Sequence, residues 1–143
     1  LDNILFLVFR SSVQDKNTDG IIPILDTWGN KDNNQGRELN IFFVNTKSQK
    51  YTTKDDRVIQ PPFDEESGDS LLYSIHQKAL GFKWVFKLDD VTYVNIKNLV
   101  VYINRVENEL KKYPHKPLWL GLPLKLDSGN LFTSGGAGYL LSK

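Results

Sequence analysis

No cysteine occurs in the 143 residues, which removes disulfides, thiolate metal sites and cysteine nucleophiles from consideration. Charge of one sign is missing too. Eighteen lysines and arginines face 17 aspartates and glutamates, and a formal charge of +1 gives no broad positive field to track a phosphate backbone. Composition therefore points away from nucleic acid as a partner. The apolar runs are too short to span a bilayer, and no N-x-S/T sequon occurs. The opening Leu1-Asp2-Asn3-Ile4 carries no charged n-region, long apolar core or start methionine, and the last residues, Gly138 to Lys143, only begin an apolar segment. The chain thus reads as an excised portion of something longer, with any anchor or targeting signal outside it.

What is present is globular: 40% hydrophobic, 12% aromatic and 24% charged residues, in a length that fits one domain spanning 1–143. Ile4 to Phe9 is a continuous apolar run with β-branched and aromatic members, the pattern of a strand covered on both faces. It ends in the donor-rich Arg10-Ser11-Ser12. Ile21 to Trp28 is a short apolar segment in which Pro23 suits an early helix turn. Gly29 to Glu38 reads as a surface loop with Asn33 and Gly36 supplying turn conformations. Leu39 to Val44 returns to strand, Asn45 to Asp56 is a polar loop, Arg57 to Gln60 suits a short strand, and Pro61-Pro62 bars helix or central strand.

A helix capped by Asp69 or Ser70 is predicted to turn Leu71, Leu72, Ile75, Ala79 and Leu80 inward and to end at Gly81. Trp84 to Phe86 resumes strand. From about Asn95 to Lys112 a longer helix places Ile96, Leu99, Ile103, Val106 and Leu110 on one apolar stripe, with Lys97, Arg105, Glu107, Glu109 and Lys111 opposite, before Pro114 closes it. Leu118 to Leu120 is a further buried-strand candidate, and Gly121-Leu122-Pro123 turns the chain. Strands alternating with helices imply a layered α/β fold with a mainly parallel sheet.

The stretch with most chemistry is Lys83 to Val94, an apolar run that stops on Asp89 and Asp90. In an open α/β sheet the strand carboxyl ends frame the ligand crevice. If this strand neighbours the first one, Arg10-Ser11-Ser12 and Asp89-Asp90 open onto one site, suited to a nucleotide diphosphate with a hard divalent cation on the carboxylates. Two adjacent acids equally suit the start of the following helix, where its dipole favours negative charge without any chemistry. Thr133 to Tyr139 brings three glycines together, either for close approach to a ligand or as a tight structural turn. It is neither a Walker nor a dinucleotide fingerprint. His76 and His115 show no ligand-like spacing.

Lys83 to Val94 resembles the Lys-Trp-Phe...Asp-Asp-Asp-x-Tyr-Val segment of Fringe-like β-1,3-glycosyltransferases of the glycosyltransferase 31 type. Leu25-Asp26-Thr27-Trp28 is similar to a helix near the start of those proteins, and Thr133 to Tyr139 resembles their Gly-Gly-Ala-Gly-aromatic segment, in the same order. The resemblance implies a GT-A type, Rossmann-like, mainly parallel sheet flanked by helices and truncated on its C-terminal side. It also implies a UDP-sugar donor, a manganese-type cation, and inverting transfer of a hexose or N-acetylhexosamine to a glycan or glycoprotein acceptor. Members are typically Golgi type II membrane proteins, here with any anchor outside the chain. By position, Asp89 and Asp90 match the first two acids of the metal motif, Asp89 with Arg10, Ser11 and Ser12 the donor side, and Gly135, Gly136, Ala137 and Gly138 the loop near the acceptor.

Three departures accompany the match. Val91 stands where the family has its third acid, and an alkyl group offers no metal ligand. Asp19, Gly20 and Ile21 replace the basic residues usual before the Leu-Asp-Thr-Trp helix. The family's general base is expected beyond Lys143, so these residues by themselves are expected to transfer little or no sugar. A Fringe-like domain that has lost catalysis and binds glycans or proteins is the alternative that Val91 motivates.

Overall fold

The structure is a computed structural model that describes residues 1–10, 21–45, 57–59, 68–112 and 117–143. Its centre is a six-stranded sheet in the order β3-β2-β1-β4-β8-β5. These strands are β1 (Ile4–Arg10), β2 (Asn40–Asn45), β3 (Val58–Ile59), β4 (Trp84–Asp89), β5 (Trp119–Gly121) and β8 (Tyr139–Ser142). The first four listed in spatial order pair in parallel, whereas β8 runs antiparallel to both β4 and β5. A separate antiparallel pair, β6 (Pro123–Lys125) with β7 (Leu131–Thr133), stands beside it. The fold is mixed α/β with a mostly parallel sheet.

β1 is apolar at consecutive positions because both of its faces are covered, each by residues of one parity. Ile4, Phe6 and Val8 join Trp84, Phe86, Leu88 and Leu140 in the larger core, against α1 (Ile21–Asp26) and α3 (Ile96–Leu110). Leu5 and Leu7 form the second core with Val44 and Ile59, against Ile75 and Ala79 of α2 (Gly68–Ala79). α3 meets the sheet as its periodicity predicts, with Ile96 and Ile103 buried and Leu99, Val106 and Leu110 packed against the core. Asn95 caps it, its Oδ1 accepting from the Asn98 amide at 3.0 Å.

The chain runs outward from β1 to β2 and β3 with α1 on one face, then returns past β1 to β4 with α2 on the other face. Strand order therefore reverses between β1 and β4. This is the topological switch point, whose carboxyl edge is the usual ligand crevice of an open α/β sheet.

Several local expectations are corrected. Residues 139–142, where the sequence shows only the beginning of an apolar segment, form a strand between β4 and β5; so short a run has no period to distinguish strand from helix. Leu118 to Leu120 is an edge rather than a buried strand, and Trp119 on its outer face is 62% exposed. Leu72 on α2 and Leu80 just after it are exposed, since only the Ile75 and Ala79 side of that helix meets the sheet. The helix begins at Gly68, which puts Asp69 and Ser70 inside its first turn. Gln35, with φ of 60°, shares the left-handed turn with Gly36, while Asn33 sits in a short 3-10 turn. Ser11, Ser12, Pro61, Pro62, Pro114, His115 and the Leu71 side chain lie outside the described ones.

Candidate functional site

Register fixes what meets at the switch point. Phe9 stands opposite Asp89 across the β1–β4 ladder, and Arg10 stands opposite Asn45 across β1–β2. The ladder continues one residue further, with the Asp90 amide donating to the Phe9 carbonyl at 3.1 Å. Arg10 Nη1 donates to Asn45 Oδ1 at 3.1 Å, so the buried Asn45 steadies the guanidinium at the crevice. Asn45 opens a polar run and so has the sequence pattern of a loop, although it closes β2 just as Arg10 closes β1.

The turn after β4 is held from three sides. The Thr92 amide donates to the Asp89 carbonyl at 3.0 Å. The indole N–H of Trp28, buried at the end of α1, donates to the Thr92 carbonyl at 3.2 Å. Thr92 Oγ1 donates to the Gly136 carbonyl at 2.9 Å, tying the glycine run to the acid turn. The glycine run is itself folded by a Gly138 amide to Gly135 carbonyl bond of 3.0 Å and an Ala137 amide to Ser134 Oγ bond of 3.3 Å. A Cβ added to Gly135 would stand 4.0 Å from Asp89 Oδ2 and 3.6 Å from Lys87 Nζ, so this backbone closes directly over the end of β4. Asp89 to Thr92 and Gly135 to Gly138, far apart in sequence, share one site, while the alternation of β1 puts Arg10 on the face of Val8, opposite to that of Phe9, Lys87 and Asp89. Ser11 and Ser12 lie outside the described residues.

Asp89 and Asp90 divide. The alternation of β4 puts Asp89 on the face of Lys87, whereas Asp90, in the turn that follows the strand, is buried. Neither belongs to the first turn of α3, which begins six residues after Asp90 and has a neutral cap, so the dipole does not account for the pair. Asp89 Oδ1 lies 2.6 Å from Lys87 Nζ, in a half-buried ion pair whose side chains are 35% and 20% exposed. The ammonium also lies 5.1 Å from the Phe9 ring centroid and 5.8 Å from that of Tyr139. The sequence carries a signal for Lys87 as well: it is the charged residue inside an apolar strand, two positions before Asp89 and therefore on the same face.

A manganese-type ion needs several converging oxygens, and the described residues do not supply them. No cluster of three or more His, Asp or Glu side chains is found among them. Asp89 is paired with Lys87, Asp90 is buried, and Val91 is 76% exposed with nothing to donate. An ion at Asp89 must displace Lys87 or stand beside it, and a dication about 4 Å from an ammonium is repelled by about 8 kcal/mol at an effective dielectric constant of 20. The arrangement suits an anion delivered to Lys87.

No family model, curated protein or solved structure matches this chain.

Proposed function

We propose that this chain is the donor-binding part of a GT-A type, Fringe-like β-1,3-glycosyltransferase, which receives a UDP-sugar at the carboxyl edge of β1 and β4. The observation that carries this reading is the meeting of Asp89 and the Gly135–Gly138 turn at the switch point of a mostly parallel sheet, with Arg10 ending the adjoining strand β1. Those are the segments that the family resemblance singles out, and they were separated in the sequence by as much as the length of the domain. In the complete protein the sugar passes to a glycan or glycoprotein hydroxyl in the secretory pathway. Here Arg10 offers a charge-assisted contact to phosphate and Asp89 orients the neighbouring cation.

Calorimetric titration with UDP and UDP-sugars tests the reading. Saturable binding that weakens in Arg10→Ala is expected, and no heat with any of these nucleotides would sink it. The exposed Val91, in place of a carboxylate, favours a second reading in which the domain binds glycans or proteins without catalysis. Glycan binding in the absence of UDP binding would select that reading.

A further inference from the structure

We propose that Lys87, and not a bound metal ion, is the cation that receives the nucleotide diphosphate at this site. The inference rests on the nucleotide-sugar reading above and departs from the manganese dependence that the resemblance implies. Lys87 stands at the switch point, where the ligand crevice of such a sheet opens. Its ammonium has three donors, and Asp89 Oδ1 at 2.6 Å takes one of them. Phe9 and Tyr139 flank the head group with their rings. Gly135 leaves open the space that a side chain would fill 3.6 Å from Nζ. The charge is thus anchored, partly dehydrated and still reachable, since a fifth of the side chain is exposed.

Chemically, a fixed ammonium does for a departing diphosphate what a divalent ion does as an electrophile: it neutralises charge on the phosphate oxygens. Asp89 is then a positioning residue. Its carboxylate holds Lys87 in place, which is a different task from ligating a metal and explains why the carboxylate beyond it can be replaced by Val91. A divalent ion and Lys87 compete for the same oxygen, so the site accommodates one or the other.

Isothermal titration of UDP into the protein, in EDTA and separately in manganese, is the test. UDP is expected to bind in EDTA within about twofold of its affinity in manganese. Lys87→Gln is expected to weaken UDP about tenfold or more, the loss of one charge-assisted phosphate contact, while Lys87→Arg stays close to wild type. Uridine affinity should be the same in wild type and Lys87→Gln, because uridine has no phosphate. An unchanged melting temperature for Lys87→Gln separates lost contact from lost fold, and Lys87→Arg serves the same purpose if the glutamine variant unfolds. UDP binding that vanishes in EDTA, or that is indifferent to both Lys87 substitutions, overturns the role of Lys87 while leaving the nucleotide site standing. No UDP binding under either condition overturns both.

Discussion

Gly138 has a φ of +76°, and a Cβ placed there would stand 2.7 Å from Phe86 Cε2 and 3.1 Å from the Lys87 carbonyl oxygen. Backbone conformation and close approach both demand glycine at this one position of the run. Gly138→Ala is expected to cost about 1–3 kcal/mol, read as a lower urea midpoint; an unchanged midpoint contradicts the packing described. Glu107 is a second residue whose partners decide its behaviour. Sequence periodicity puts it on the solvent face of α3, yet its Oε1 accepts from the buried Trp84 Nε1 at 2.9 Å and pairs with Lys83 Nζ at 2.9 Å. The indole bond and then Lys83 hold its carboxyl below the ordinary value of 4.5, with burial opposing them. A depressed folded-state pKa stabilises the fold above the unfolded value and loses that contribution as pH falls through the folded one. The stability difference between wild type and Glu107→Gln should therefore shrink as urea midpoints are followed downward from about pH 5. A constant gap across that range would argue against the ionised carboxylate.

Among the elements, α3 and α2 make opposite use of similar apolar content. Every third or fourth residue of α3 meets the sheet, and Ile103 is 5% exposed, so Ile103→Ala should destabilise by about 2–5 kcal/mol. α2 presents Ile75 and Ala79 to the second core but leaves Leu72 65% exposed, so Leu72→Gln should change stability by less than about 0.5 kcal/mol. Parallel denaturation curves for the two variants check both values. Similar losses in the two variants would mean that α2 sits differently on the sheet. Period alone marks an apolar stripe; how wide a stripe is covered depends on the neighbouring layer.

At the scale of the whole molecule, the C-terminal residues are structural. β8 lies between β4 and β5, contributes Leu140 to the larger core, and is followed by a Lys143 amide bond to the Lys83 carbonyl at 3.1 Å. Removing residues 139–143 strips β4 of its outer partner and detaches β5. The shortened chain is expected to lose its cooperative thermal transition in circular dichroism. A cooperative transition retained at the original temperature would show that the antiparallel half of the sheet is dispensable.

The sequence by itself determined the strands that are apolar on both faces, the amphipathic α3, the α/β class and the acid that ends β4, because these follow from side-chain period and composition along one segment. It also marked Arg10 and the glycine run as site candidates. Tertiary structure decided the antiparallel insertion of β8, the outward side of α2 and the ion pairs of Glu107 and Lys87, since each depends on which layer another segment supplies. It also separated Asp89, paired with Lys87 at the end of β4, from its neighbour Asp90, buried in the turn that follows. Whether a carboxylate meets a metal or an ammonium is set by what stands within about 3 Å of it, and for Asp89 that is Lys87.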